Sequence, residues 1–533
     1  MTSVHGVGLP EDVVAARQQR LGDLPRRAAR RTPSRLALVD GPVRLSFAEL
    51  DEYVDRVSSA MAGVGLGRGD VLALLSHNCW QFPVIAFAAA RRGIVLVPVN
   101  FMLGAEEIGY ILEHSGAVAL VAEDALVPVA QEALSPIALS QQVRVRVRLD
   151  LDPGVPLVGA WHPAATWLDH DATGLPDVEL ADDEPIRIMY TSGTESRPKG
   201  ALLSSRSLMW QYTSCISTGG MESSDVELHS MPLYHCAQLD NFLSTDIYLG
   251  ATSVILRRPD PTVILETIER ERITNLFLPP TVWISLLAAP TFATTDLSSL
   301  RKGYYGASAM PREVLRELTS RAPDLRLWNF YGQTEMASLA TALPPEEQFT
   351  HGGSAGFPAL NVETRIVDDE DRDVPAGEVG EIVHRSPHLV LGYLNDPEKT
   401  AEAFRGGWFH SGDLGYVDPD GRLYVVDRKK DMIKSGGENV SSREVEEVLF
   451  EHPDVAEVAV FGVDHPRWVE AVTAAVVPRP GATLEPDDLI GFARGRLAGF
   501  KCPKYVVVLD ALPKNPSGKI LKRDLREEHR ALV

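Results

Sequence analysis

A chain of 533 residues is too long for one hydrophobic core, so two or more domains are expected. Its 44% hydrophobic and 23% charged content excludes a disordered chain, and a net charge of -21 argues against a protein that holds nucleic acid by general attraction to phosphate. Four widely spaced cysteines, with no Cys-x-x-Cys, suggest neither a disulfide frame nor a zinc site, and a reducing cytoplasm is the expected setting.

The N-terminal twenty residues lack the apolar stretch of a secretory signal, and the best apolar run, Val84 to Ala90, is far too short for a membrane span. Further on, Leu50, Tyr53, Val54, Val57, Ala60 and Met61 recur at helical spacing. The helix stops at "GVGLGRGD", and "VLALLS" reads as a buried strand. The glycines there, Gly65, Gly67 and Gly69, do not have G-x-G-x-x-G spacing and follow a helix, so they mark a turn. "FPVIAFAAARRG" then "IVLVPVN" repeats helix-then-strand, as does "VILETIERERI" then "TNLFLPP". This alternation predicts an α/β protein: a large N-terminal domain of layered parallel sheets covered by helices.

A β-rich subdomain follows. Its "YVDPDGRLYVV" is a hairpin around an Asp-Gly turn. The charged, then glycine-rich stretch from Asp427 to Gly437 marks a domain boundary, dividing the chain into 1–429 and 430–533. Beyond it, "SSREVEEVL" opens with Ser441 and Glu444 spaced as a capping box. The strands "VAEVAVFGV", "AVTAAVV" and "YVVVLD" and the helix "DDLIGFARGRL" suit a small α+β domain.

Chemistry is concentrated in five stretches. "YTSGTESRPKG" (Tyr190 to Gly200) joins the strands "IRIMY" and "ALL"; it is either a polar turn or a phosphate cradle of backbone N–H groups, hydroxyls and Lys199. It is not a Walker A loop, which needs a following helix. The others are "NFYGQTE" (Asn329 to Glu335), "HSGDLG" (His410 to Gly415), "DRKKDMIKSGGENV" (Asp427 to Val440) and "PKNPSGKILKR" (Pro513 to Arg523). Each is weak singly; all five in this order are a strong signal.

In these stretches the chain resembles, nearly end to end, the adenylate-forming superfamily of acyl-CoA synthetases, adenylation domains and luciferases, and within it the fatty-acyl- and aryl-CoA ligases. The resemblance implies ATP, Mg²⁺ and CoA as co-reactants and a C-terminal domain that rotates between half-reactions. It places Thr191, Ser192, Gly193, Thr194 and Lys199 on the β- and γ-phosphates. Glu335 would ligate Mg²⁺, and Thr334 would touch the α-phosphate. Asn329, Tyr331 and Gly332 would lie along the nucleotide, Tyr331 on adenine, with Gly306, Ala307 and Ser308 opposite. Asp413 and Arg428 would take the ribose, and Lys519 the α-phosphate and substrate carboxylate. Lys430 would be the pivot, and Gly436 and Gly437 would line a pantetheine tunnel. The partners implied are a small carboxylic acid, ATP and CoA; a homodimer is left open.

The physical logic agrees with the resemblance. A carboxylate is a poor electrophile, and joining it to AMP brings two anions together, which needs concentrated positive charge. One departure is Glu195 and Ser196, where the family usually has Thr-Gly; a carboxylate there should repel triphosphate. "MPLYHCAQLDNF" resembles the border of the acyl pocket, with His235 at the gate near the substrate carboxylate. Cys236 stands where amino-acid-activating relatives have aspartate, which disfavours an amino-acid substrate. As a helix, this stretch would put His235, Gln238, Leu239 and Phe242 on one face. Tyr304, Tyr305, Ala309, Met336 and Ala337 would form the opposing wall. A fatty acid is the lead expectation, an aryl or other acid is next, and carrier-protein loading is the other enzymatic reading.

Overall fold

The strand Val71–Leu75 lies at the centre of an eight-stranded sheet, with Val95–Val99 on one side and Ala119–Glu123 on the other, both parallel to it. The structure, a computed structural model, describes residues 10–152, 161–172, 177–191, 198–306, 310–429, 431–436, 438–514 and 520–532. Apolar, β-branched strands buried on both faces are what a helix-covered parallel sheet requires. The helix Phe47–Gly63 forms where expected; its Ser46 cap accepts from the Glu49 N–H, and the Glu49 carboxylate returns to the Ser46 N–H. The helix Gln81–Arg91 is buried from Phe82 onward, because it is packed on several sides. Gly65 and Gly69 have positive φ, as the turn expected there demands.

A second sheet has nine strands. Its run of parallel strands ends with Asn275–Phe277, Lys302–Gly306 and Arg326–Tyr331, after which Thr341–Leu343 pairs antiparallel. A shared core that includes Phe82, Tyr212, Leu239 and Leu243 fills the first layer of the domain. The β-rich part is a four-stranded antiparallel sheet; its hairpin pairs Phe409–Val417 with Leu423–Arg428. After Arg428, the strand Ile433–Ser435 already belongs to the C-terminal sheet, with Val455–His465, Val469–Pro478 and Tyr505–Val508. The helices Ser442–Phe450 and Pro486–Arg494 cover that sheet.

Two local expectations need correction. Ser441 caps its helix by accepting from the Glu444 N–H, but the Glu444 carboxylate does not return; Lys501 Nζ holds it at 2.7 Å. A full ammonium outcompetes one backbone N–H. The second correction concerns Ala237–Leu243, which is a π-helix and not an α-helix. No helix among the described residues is long and apolar enough to cross a membrane.

Candidate active site

Three of the predicted site segments follow the carboxyl ends of strands, where α/β sheets bind ligands. The strand Pro185–Thr191 leads to residues 192–197, the loop expected to hold phosphate, Lys302–Gly306 to residues 307–309, and Arg326–Tyr331 to a one-turn helix, Thr334–Met336. Thr191 and Lys199 pair across the neck of the loop. Ser192, Gly193, Thr194 and Glu195 lie outside the described residues, as do Ala307 and Ser308, Lys430, Gly437 and Lys519. Lys514 and Ile520 form a β-bridge that brackets 515–519, and Lys514 is tied to Glu457 at 2.7 Å.

Two glycines at the site are required by close approach. A Cβ on Gly332 would stand 1.8 Å from the Ser338 carbonyl oxygen, and one on Gly306 would stand 2.5 Å from that of Phe330. Gly436 is different: the nearest atom to a Cβ there is 3.8 Å away, but its φ is +65°. Backbone conformation, not crowding, asks for glycine at that position.

Glu335 is brought forward by the short helix, whose following residue, Ala337, has φ +60°. The Tyr393 hydroxyl donates to Glu335 Oε1 at 2.9 Å, and the Val390 N–H donates to its carbonyl at 3.0 Å. The other carboxylate oxygen hydrogen-bonds no described residue. Lys199 Nζ stands 5.1 Å from the centre of the Tyr393 ring, so one tyrosine touches both predicted phosphate-site residues. A single carboxylate with a free oxygen fits Mg²⁺, which takes one or two carboxylates and fills its sphere with phosphates and water. Among the described residues no group of three or more His, Cys, Asp or Glu could hold a metal.

Asp413 and Arg428 face each other across the hairpin. Asp413 Oδ2 accepts from the Tyr331 hydroxyl at 2.7 Å, and Oδ1 lies 3.2 Å from Arg428 Nε. Oδ1 is buried and has no hydrogen-bond partner, the open valence a ribose hydroxyl would fill. Burial pushes the Tyr331 phenol up, and the Asp413 charge pushes it further. For Arg428, burial lowers the pKa, but Asp413 and Tyr331 outweigh it and the group is held charged. Asn329 Nδ2 donates to the Ser354 carbonyl at 3.1 Å.

On the side expected for the acid, Cys236 Sγ lies 3.5 Å from Thr334 Oγ1, the residue expected at the α-phosphate. Burial raises the Cys236 thiol to about 11, which keeps it neutral near pH 7. His235 Nδ1 accepts from the Ala237 N–H at 3.2 Å, which fixes the ring. The predicted pocket face is not formed as expected. Phe242 stacks on Phe277 and packs against Tyr304 and Phe330 in the core. Gln238 turns inward to His229 Nδ1 at 2.7 Å. A π-helix has more residues per turn, so the α-helical spacing does not select one face. Tyr304 and Tyr305 are adjacent in a strand and point opposite ways, one hydroxyl to the Gly219 carbonyl and the other to Gln348.

Sequence reasoning missed several residues. Ser338 Oγ donates to Asn241 Oδ1 at 3.1 Å, Asn241 meets Gln211, and Gln211 Oε1 is buried without a partner. Arg187 and Asp240 form an ion pair in the interior. A lone charge inside each apolar run, "IRIMY" and "AQLDNFL", was the available signal.

The profile of the AMP-binding enzyme family matches residues 25–394, and that of the AMP-binding enzyme C-terminal domain matches 444–519. The chain belongs to this adenylate-forming family, in its acyl-CoA synthetase branch of acid–thiol ligases. It is 37% identical to a feruloyl-CoA synthase of Amycolatopsis sp over 510 residues, which are 96% of this chain and 99% of that one. It is 36% identical to an indoleacetate–CoA ligase of Aromatoleum aromaticum, over 91% of this chain and 93% of that one. A solved Mycobacterium tuberculosis fatty acyl CoA synthetase superposes with a TM-score of 0.77 at 31% identity, over 96% of this chain and 99% of that one.

Proposed function

We propose that the chain is an ATP-dependent acid–CoA ligase whose acid is aromatic and carries a polar ring substituent. In the first half-reaction a carboxylate oxygen attacks the α-phosphorus of ATP, and the bond to the β-phosphate breaks to release pyrophosphate. In the second, the CoA sulfur attacks the acyl carbon, a C–S bond forms, and AMP leaves.

This chain's own residues divide the work. Asp413 and Arg428 hold the ribose, with Tyr331 set against the base by its bond to Asp413. Glu335 would hold Mg²⁺, which when bound neutralises charge on the phosphates. Ser192, Gly193 and Thr194 supply donors to the phosphates together with Lys199. Lys519 supplies the cation between carboxylate and α-phosphate. The boundary between 429 and 430 would be the swivel, with Lys430 as pivot and Gly436 and Gly437 along the pantetheine path.

The acid class is carried by one observation. A buried polar line runs from Thr334 and Cys236 through Ser338 and Asn241 to Gln211 Oε1, which has no partner. An alkyl chain would leave Gln211 Oε1 unsatisfied, while a ring hydroxyl can donate to it. The feruloyl- and indoleacetate-activating relatives agree with it. The second reading is a fatty acid, favoured by the superposition on a fatty acyl CoA synthetase.

The test is pyrophosphate release and AMP formation over a panel of cinnamates, benzoates, indoleacetate and fatty acids, with and without CoA. The expected result is CoA-dependent AMP formation, with a hydroxylated aryl acid preferred and its CoA ester found by mass. Preference for a fatty acid would overturn the acid class. Pyrophosphate release without CoA turnover would move the acceptor to a carrier protein.

A further inference from the structure

Two opposite charges lie where neither local chemistry nor packing calls for them. Arg187 is 1% exposed and Asp240 is 0% exposed, and Arg187 Nη1 bonds Asp240 Oδ1. The Tyr212 hydroxyl donates to the same oxygen at 3.1 Å. Asp240 Oδ2 and Arg187 Nε are buried and have no hydrogen-bond partner, so the pair is not fully satisfied. A buried pair of this kind is weak evidence for stability, since well-packed apolar residues of similar volume often do as well or better.

What the pair joins is informative. Arg187 sits on the strand that enters the phosphate loop. Asp240 sits in the π-helix Ala237–Leu243, directly after the gate residues His235 and Cys236. The strand is secured without the pair: it is flanked by a parallel neighbour, with Leu96 opposite Arg187, and by the antiparallel strand Lys199–Ser204. The π-helix has no such ladder. Its wide turns are poor intrinsic geometry, and side chains must hold its register: Gln238 on His229, Asn241 on Gln211 and Asp240 on Arg187. Of these, only the Arg187 contact reaches the strand Pro185–Thr191; His229 belongs to the nine-stranded sheet.

We infer that Arg187 and Asp240 are positioning residues: a buried charge lock that fixes the π-helix against the phosphate-loop strand, and so sets the acid's gate, His235 and Cys236, opposite Thr334. The inference rests on the acid–CoA ligase reading for its kinetic readout but not for its structural one. Because the strand keeps its sheet partners, loss of the lock falls on the acid side and leaves the nucleotide side intact.

The experiment is the apolar pair Arg187→Met with Asp240→Leu in the full chain. Melting temperature, KM for the acid the wild-type enzyme uses best, KM for ATP, and amide hydrogen exchange by segment are compared with wild type. The expected result is a melting temperature near or above wild type and an acid KM raised about tenfold. ATP KM should change less than about twofold, with faster exchange in residues 235–243 and unchanged exchange in 185–191 and 199–204. An unchanged acid KM with unchanged exchange in 235–243 would overturn the lock. So would equal losses for acid and ATP with faster exchange in all three segments, which would mean general support of the interior. If the double variant does not fold, Asp240→Asn is read by the same measurements, because it keeps the shape and removes the charge. If wild type activates no acid, the ligase reading fails, and exchange in 235–243 alone decides the lock.

Discussion

The Tyr393 hydroxyl holds Glu335 Oε1 at 2.9 Å while its ring lies beneath Lys199 Nζ at 5.1 Å. Tyr393 belongs to a two-residue strand, Gly392–Tyr393, that pairs with the strand beginning at Lys199. One side chain therefore orients the carboxylate proposed for the metal and the cation proposed for the phosphates. Orienting groups behind a metal ligand are commonly worth about 10- to 100-fold in metal affinity. Tyr393→Phe keeps the ring and loses the hydroxyl. It should raise the Mg²⁺ needed for half-maximal pyrophosphate release by about tenfold, and weaken Mn²⁺ binding with a non-hydrolysable ATP analogue to a similar degree. Tyr393→Leu should also weaken ATP, since the contact with Lys199 is lost. Equal metal titrations for wild type and Tyr393→Phe would remove the role.

Asp413 carries the second prediction. It is the common partner of Tyr331 and Arg428, and its Oδ1 has room for one more donor. Asp413→Asn replaces a charged acceptor by a neutral one and leaves Arg428 without its counter-ion. Hydrogen bonds to charged groups contribute about 1.5–3 kcal/mol each. AMP affinity by calorimetry should fall by about one to two orders of magnitude, with the melting temperature lowered by the unpaired Arg428. Unchanged AMP affinity would take Asp413 out of the nucleotide site.

Much of this was legible in the sequence, for reasons that differ between parts. The helix over Phe47–Gly63 and the hairpin through Asp420 and Gly421 rest on local signals, an apolar period and a turn, and local signals survive folding. The residues proposed for the nucleotide rest on their order along the chain, and Asp413 opposite Arg428 follows from strand register once the hairpin is accepted. The acyl side was misread because π and α turns share one amino-acid pattern, and the side-chain contacts that meet this segment, such as Arg187 with Asp240, lie far apart in the chain, 53 residues in this case. Tyr393 was missed because its partners, Lys199 and Glu335, meet it only in space.

Asn241 provides a test of the acid class. Its carboxamide bridges Gln211 and Ser338 along the buried polar line. Asn241→Leu removes that polarity at nearly constant volume. The ratio of kcat/KM for a hydroxylated aryl acid over a fatty acid should drop by about tenfold, because a buried hydroxyl left without a partner costs about 1–3 kcal/mol. A constant ratio would mean that Asn241 does not face the acid.

Lys519 is predicted to act in one half-reaction alone. An ammonium between two anions stabilises the adenylation transition state, and removal of such a donor costs about 3–4 kcal/mol. Lys519→Ala should therefore lower pyrophosphate release by about two to three orders of magnitude, while thioester formation from supplied acyl-AMP continues. Lys430→Pro should do the reverse, sparing adenylation and slowing transfer to CoA, because a fixed φ stiffens the pivot. Equal loss of both half-reactions in either variant would defeat the assignment.

Two buried histidines set the last expectation, a pH dependence of stability. His384 is held down to about 3 by burial; Nδ1 is bonded to Thr364 and Nε2 has no partner. His388 is lowered to about 4, also by burial, against a smaller opposing pull from the Leu339 and Trp210 backbones. Its Nε2 meets Ser214 Oγ at 2.9 Å. Both folded values lie below the unfolded value near 6.5, so below pH 6.5 the unfolded chain binds protons that the native protein refuses. Stability contributed by each neutral ring is then present above 6.5 and is lost as the pH falls toward the folded value, by about 1.4 kcal/mol per pH unit for each histidine. Glu123, held near 2 by His77 and Arg257 against its burial, adds its own loss only below 4.5. Buried carboxyls that are pushed up, such as Glu227 and Asp246, act with the opposite sign, so the comparison must be between variant and wild type. His384→Asn and His388→Gln should each be less stable than wild type at pH 7.5, and each should show a slope shallower by about one proton between pH 6.5 and 5 in urea unfolding. Identical slopes in all three proteins would mean that neither ring resists protonation in the fold.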